Sequence, residues 1–236
     1  MSNRSLIIAD LHLNPNEVEK NQLFINFCQN QAKEADQLFI LGDLFNTWLG
    51  DDLSIPIYHT IISTLKALSQ HTKIYLTQGN RDFLLDCEFA QKSGVTLIDS
   101  PYLLETSSGD FVLTHGDELC TDDESYQQLK SILQHPITKF IFLHLPKKLR
   151  LRLAGQIRKK SVEAQQYKTE EIMDVNEQAV IDLMQKYPGA NLIHGHTHRV
   201  TTHQQVNFSR YVLGDWKSNL GNAISIDEQL NWLEIH

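Results

Sequence analysis

A chain of 236 residues with 41% hydrophobic and 21% charged side chains is long enough to bury a real core as one domain, or as one domain with an insertion. It holds no run near the ~18–20 apolar residues that a transmembrane helix needs, and Leu6 to Ala9 is too short for a signal peptide. The formal charge of −8 argues against binding dominated by nucleic-acid phosphates, and the scattered Cys28, Cys87 and Cys120 read as reduced thiols of a cytosolic protein, not a disulfide framework.

The chain repeats one arrangement: a short Ile/Leu/Val run that stops abruptly at small and polar residues. Leu6 to Ala9 leads into Asp10-Leu11-His12, and Leu38 to Leu41 into Gly42-Asp43. Ile74 to Thr77 leads into Gly79-Asn80-Arg81-Asp82, Phe111 to Thr114 into His115-Gly116-Asp117, and Asn191 to Ile193 into His194-Gly195-His196-Thr197-His198. Runs of this length are buried strands, and helical patterns between the early ones imply crossovers, hence an α/β fold with largely parallel central pairing. Polar residues at the strand ends then converge on one edge.

Between His115 and His196 the pattern is mostly helical. Leu145, Leu149, Leu153 and Ile157 recur every fourth residue, Pro146 suits a helix start, and Ile172, Val175, Ala179 and Leu183 predict a helix stopped by Pro188-Gly189. Residues 120–168 read as a helical insertion, or lid, within a single domain spanning 1–236. After Val200, short segments around Val206, Tyr211–Leu213, Ala223–Ile226 and Leu230–Ile235 read as antiparallel strands of a second sheet.

Taken singly, each strand-end motif fits a satisfied turn. Together, Asp10-x-His12, Gly42-Asp43, Gly79-Asn80-Arg81, His115-Gly116 and Gly195-His196-x-His198 place seven carboxylate, imidazole and amide ligands in one order. That donor set suits borderline-hard divalent ions. Seven ligands exceed the needs of one open site and match two ions sharing a carboxylate, an arrangement that activates water and stabilises an in-line displacement.

The five-block order resembles the calcineurin-like metallophosphoesterase superfamily. The resemblance implies two packed mixed β-sheets flanked by helices. It places Asp10, His12, Asp43 and His198 on a first ion and Asp43, Asn80, His115 and His196 on a second, with Asp43 bridging and Mn²⁺ the expected metal. Two blocks depart from the superfamily's phosphatases: Gly-Asp-Leu-Phe-Asn-Thr-Trp at 42–48, and Gly-Asn-Arg-Asp-Phe-Leu-Leu at 79–85, where no histidine follows Asn80. A missing proton donor matters less when the leaving group is a phosphate, which points to pyrophosphate cleavage with Arg81 neutralising phosphate charge.

Those blocks, with His115-Gly116-Asp117-x-Leu119-Cys120-Thr121-Asp122-Asp123, Ile172-Met173-Asp174-Val175-Asn176 and the segment 193–199, closely resemble the UDP-2,3-diacylglucosamine diphosphatases of lipid A biosynthesis. The resemblance implies water attack at the α-phosphorus of a UDP-linked diacylated glucosamine lipid, giving UMP and 2,3-diacylglucosamine 1-phosphate. Asn80 and His196 are then catalytic, and Asn80, Arg81, Asp123, Ser161, Gln165, Lys168 and His196 contact substrate. Gln165 departs from the Asn usual in that family. The rival reading is a two-metal phosphodiesterase acting on a nucleotide or nucleic acid.

Several residues keep a plainer reading beside the functional one. Arg81 also fits a surface ion pair, Asp123 a helix N-cap, and Lys168 a solvated lysine. Asp51-Asp52 fits a loop or helix cap, and His194 is left unassigned. Ser125 to Val162 contains nine Lys or Arg and no acid, beside Phe140 to Leu143 and the Leu149–Leu153–Ile157 stripe. Such a segment suits a lid packed on the domain with its basic face solvated, or a helix at an anionic bilayer. The expectation is both: a lid gripping acyl chains on an enzyme peripheral to the cytoplasmic face of the inner membrane, with no nucleic-acid partner and no obligate protein partner.

Overall fold

The computed structural model describes residues 4–165, 169 and 172–236, the side chains of 164 and 165 excepted. The runs noted above form β1 (Ser5–Ile8), β2 (Gln37–Leu41), β3 (Lys73–Thr77), β6 (Gly109–Thr114) and β7 (Asn191–His194). Helices α1 (Val18–Gln29), α2 (Asp51–Ser54), α3 (His59–Leu68) and α4 (Cys87–Ser93) lie between the first strands. Two strands too short or too polar to stand out in the sequence, β4 (Thr96–Leu97) and β5 (Tyr102–Thr106), precede β6. Helices α5 (Glu124–Leu133), α6 (Pro136–His144), α7 (Lys147–Gln165) and α8 (Glu177–Met184) follow it. The chain closes with β8 (Thr201–Gln204), β9 (Ser209–Val212), β10 (Gly221–Ile226) and β11 (Leu230–Ile235).

Two mixed sheets result, ordered β11-β10-β1-β2-β3-β4 and β5-β6-β7-β9-β8. Strands β1 to β4 pair in parallel, as do β6, β7 and β9. Alternation along the strands builds the layers. Ile7, Phe39, Leu113, Ile193 and Ile224 fill the space between the sheets, while Leu6, Ile8, Leu38 and Ile40 face the helices with Phe24, Phe27 and Leu65. On the outer face of the second sheet, Val112 and Leu192 pack with Val180 and Met184 of α8.

Two expectations need correction. The strands after Val200 do not form one antiparallel sheet: β9 pairs in parallel with β7, while β10 pairs antiparallel with β1 in the first sheet. Short strands of similar texture carry no mark of which sheet edge they join. The helix expected from Ile172 begins only at Glu177, because the Asn176 side chain accepts the Ala179 N–H and caps it there.

Helices α5 and α6 bury no residue of their own. Phe142 and Leu143 rest partly buried on the core, and polar anchors add to that hold. Arg150, only 2% exposed, donates to both Asp52 carboxylate oxygens and to the Leu49 carbonyl. Lys147 Nζ donates to the Asp52 carbonyl at 2.8 Å, and Lys139 Nζ to that of Phe83 at 3.0 Å. Part of the basic face is therefore structural, not solvated. Asp52 emerges as the receptor for α7, while Asp51 in the same turn of α2 accepts the Trp48 indole N–H and the Phe89 backbone N–H.

Candidate metal centre

All seven predicted ligands leave the C-terminal ends of β1, β2, β3, β6 and β7, so parallel pairing within each sheet and the packing of one sheet on the other bring them to one edge. The local backbone is unusual. Asp10, His12, Asp43, His196 and His198 all have φ between 48° and 67°, and they are the only non-glycine residues with positive φ among the described residues. A side chain in this region costs on the order of 1–3 kcal/mol and persists where its surroundings dictate it. Here the turns brace one another: His12 N–H donates to the Asp43 carbonyl at 2.8 Å, and His196 N–H to Asp10 Oδ2 at 2.7 Å. A Cβ on Gly79 would strike the Asp43 carboxylate, so that position admits only glycine if Asp43 is to stay in place.

The side chains then converge. His12 Nε2 lies 3.2 Å from His198 Nε2, and His198 Nε2 lies 3.3 Å from Asp10 Oδ1. Asp43 joins the two halves, with Oδ2 at 3.7 Å from His12 Nδ1 and Oδ1 at 3.9 Å from His115 Nε2. His115 Nε2 also faces the Asn80 amide oxygen at 3.1 Å. The His196 ring lies beside His115, centroids 5.0 Å apart. Two clusters, Asp10/His12/His198 and Asp10/Asp43/His115, have ligand atoms within 4.8 Å of one another.

This arrangement fits divalent cations. Asp10 Oδ1 and His12 Nδ1 are buried with no hydrogen-bond partner, although buried polar atoms are nearly always paired. Such atoms, in a set free of thiolates, are donors waiting for a hard or borderline ion. The electrostatics agree. Burial pushes the Asp43 carboxyl up to about 7, with the charge of His115 opposing and Asp82 and Asp10 adding to the rise. Burial resists charge on His115, yet Asp43, Asp117 and Asp10 together hold its imidazolium up to about 9. Burial lowers both His12 and His196 to about 3, which keeps them neutral and able to ligate. Cations supplied from outside would relieve this crowding of buried carboxylates.

Arg81 does not form an ordinary surface pair. Its backbone N–H donates to Asp43 Oδ1 at 2.7 Å, and its guanidinium Nε lies buried 4.0 Å from Asp43 Oδ2 without a hydrogen-bond partner. Asp123 is the N-cap of α5, with Oδ1 accepting the Tyr126 N–H at 3.0 Å and the Ser125 hydroxyl at 2.9 Å. Ser161 is half-buried on α7. Lys168 and the Gln165 side chain lie outside the described residues.

Sequence reasoning missed four contributors. Asp82 is fully buried and accepts the backbone N–H groups of Gly79, Asp43 and Phe45, tying the second block to the third. Its place inside the Gly-Asn-Arg-Asp block was a usable signal. Asp117 accepts Tyr126 Oη at 2.6 Å and Lys130 Nζ at 2.9 Å, close to His115. Tyr126 in turn lies against the His196 ring, centroids 5.9 Å apart. Arg158 donates to Asn46 and Thr47, and burial followed by the charge of Arg81 lowers its pKa. Nothing in the basic run marked Arg158 apart from its neighbours.

Residues 4–200 match the family model of the calcineurin-like phosphoesterases. A UDP-2,3-diacylglucosamine hydrolase from Tolumonas auensis is 41% identical over 232 residues, covering 96% of this chain and 94% of its own. The protein of the same name from Haemophilus influenzae is 41% identical over 225 residues, 95% of each chain. The solved structure of Vacuolar Protein Sorting 29 from Cryptosporidium parvum is similar with a TM-score of 0.50 at 11% identity, covering 99% of this chain and 96% of that one. That likeness is one of fold alone.

Proposed function

The chain belongs to the calcineurin-like phosphoesterase family, and on that premise we propose that its strand-end site hydrolyses the pyrophosphate bond of UDP-2,3-diacylglucosamine. Water adds to the α-phosphorus, the bond from that phosphorus to the bridging oxygen breaks, and UMP and 2,3-diacylglucosamine 1-phosphate leave. The observation that carries this reading is the ligand cluster at the strand-end edge with the Arg81 guanidinium beside Asp43.

Asp10, His12, Asp43 and His198 would hold one divalent ion and Asp43, Asn80, His115 and His196 a second, Mn²⁺ being the ion we expect. When bound, such a pair polarises a phosphoryl oxygen and lowers the pKa of a water molecule. The chain's own groups do the rest. Arg81 would bind the charged diphosphate, which a guanidinium recognises through two parallel N–H groups, while Arg158 braces the Asn46–Thr47 turn. No histidine follows Asn80, and the sugar phosphate can leave without a proton donor. Asn80 and His196 would orient the reacting phosphate, while Asp117 and Tyr126 hold His196 and the start of α5 in place. Asp123, Ser161, Gln165 and Lys168 would contact the sugar and its phosphate.

The helical segment suits the acyl chains. Ile132, Ile137 and Phe140 are each at least 60% exposed, with Ile141 and Leu129 beside them in sequence. Apolar surface of this kind marks a ligand or membrane contact. We take it as the lid over the lipid and as the face turned to an anionic inner-membrane surface on the cytoplasmic side. Among the described residues no helix is long and apolar enough to cross a membrane.

Hydrolysis in ¹⁸O-water tests the bond assignment: the label should appear in UMP. Label only in the sugar-lipid phosphate would place the attack at the other phosphorus. An assay with Mn²⁺ comparing UDP-diacylglucosamine, UDP-N-acetylglucosamine and a generic phosphodiester should rank the lipidated substrate first; a faster phosphodiester would overturn the substrate reading.

A further inference from the structure

His194 ends β7 fully buried, and the chemistry proposed above gives it no task. Its ring nitrogens both have partners. Arg210 Nη1 lies 3.2 Å from Nε2, and the Gly195 carbonyl oxygen lies 2.9 Å from Nδ1. A guanidinium can only donate, so Nε2 must present its lone pair. The ring proton therefore sits on Nδ1, where it donates to Gly195 O. Arg210 reaches this ring because β9 runs beside β7 in the same sheet.

The carbonyl that receives this proton belongs to the peptide joining Gly195 to His196. The opposite edge of that peptide, the His196 N–H, donates to Asp10 Oδ2 at 2.7 Å. One peptide plane is thus gripped on both edges, by His194 on one side and by a candidate ligand on the other. Its orientation sets the positive φ of His196 and aims Asp10. The same oxygen accepts the Thr197 N–H at 2.8 Å, which carries the constraint toward His198. The ring also backs the neighbouring turn, since a Cβ on Gly116 would come within 2.9 Å of His194 Nδ1.

We infer that His194, locked in its Nδ1–H tautomer by Arg210, is a positioning residue that fixes the Gly195–His196 peptide and so presets Asp10, His196 and His198 for the metals. The inference rests on the ligand assignment proposed above, but the tautomer is measurable without any metal. Partners behind metal ligands typically contribute 10–100-fold in affinity.

Long-range ¹H–¹⁵N correlation on metal-free protein labelled with ¹⁵N-histidine, with His194 assigned by its loss in a variant, should show a protonated Nδ1 and a bare Nε2. A wild-type ring protonated on Nε2, or on both nitrogens, overturns the inference. Two substitutions then separate positioning from packing. His194→Asn keeps a donor near the Nδ1 position, whereas His194→Gln reaches the Nε2 position without that donor. Calorimetric Mn²⁺ titration should give His194→Asn a Kd within about threefold of wild type and His194→Gln a loss of at least about tenfold. Equal losses, or none in either, would contradict the inference, with thermal unfolding of the metal-free variants recorded alongside. If His194→Gln does not fold, the wild-type tautomer still decides. Wild-type protein that binds no Mn²⁺ would defeat the proposed function while leaving the tautomer result standing.

Discussion

The strand-end edge and the helical segment over α5 to α7 are built on opposite plans. At the edge, backbone and side chains fix one another: five ligands sit in the left-handed region, and Asp82 and His194 tie neighbouring turns together. The helical segment has no fully buried residue in α5 or α6; it rests Phe142 and Leu143 on the core and is otherwise held by charged anchors, Lys130 on Asp117, Arg150 on Asp52 and Arg158 on Asn46. A metal site needs geometry correct to a fraction of an ångström, so strain there is tolerated. The lipid clamp proposed here would need apolar area and freedom to open, which attachment by discrete contacts allows.

The sharpest way to break this contrast is to remove the shared ligand at the edge. Asp43→Ala should lower turnover by at least on the order of 10²–10³-fold, more than loss of His12 or His198, and chelation should abolish it with Mn²⁺ restoring it. A steady-state assay that ranked Asp43→Ala with the terminal ligands would show that it bridges nothing.

The helical segment should respond differently. Asp52→Asn leaves Arg150 buried without its charge partner, so α7 should loosen by about 1.5–3 kcal/mol. The expected signs are faster proteolysis near Leu145 to Lys148 and a raised KM for lipid substrate, with kcat for a short-chain analogue changed little. A fall in kcat alone would mean that the anchor serves the edge instead.

Asp117 links the two regions and gives a dependence on pH. Burial works against its charge, but His115, His196 and Lys130 hold the carboxyl below its usual range. A carboxyl depressed in the fold contributes stability that is present above its unfolded pKa of about 3.9 and is lost as pH falls through the folded value. Urea unfolding should therefore find Asp117→Asn less stable than wild type at pH 6, with the gap closing below about pH 4. A gap that widens on acidification would reverse the assignment.

The smallest expected effect concerns cations with no anchor among the described residues. Replacing Lys148, Arg152 and Lys160 with Gln should weaken binding to anionic vesicles by about 1 kcal/mol per charge near the surface, while hydrolysis of detergent-dispersed substrate is retained. Vesicle binding that is unchanged, or absent in the parent protein at low salt, would leave the segment as a lid only.

Much of the edge was legible because strand ends announce themselves: an apolar run, then a glycine, then an acid or histidine, as at Leu41-Gly42-Asp43. The partners that hold the ligands were not. Asp82 acts through backbone N–H groups and Arg210 through a ring nitrogen, contacts brought close only by the fold, and Arg210 has no spacing rule to reveal it. Arg150 looked like any cation in a basic run until Asp52, 98 residues away, was found opposite it. The joining of β9 and β10 to different sheets was equally hidden, since pairing partners are set by tertiary contact and not by strand composition.

The central claim is a pair of metals bridged by Asp43, and electron paramagnetic resonance of protein loaded with Mn²⁺ addresses it most directly. The account predicts two Mn²⁺ per chain with a spin-coupled spectrum that collapses to isolated-ion signals in Asp43→Ala. One Mn²⁺ per chain, or two that remain uncoupled in the wild type, would contradict it.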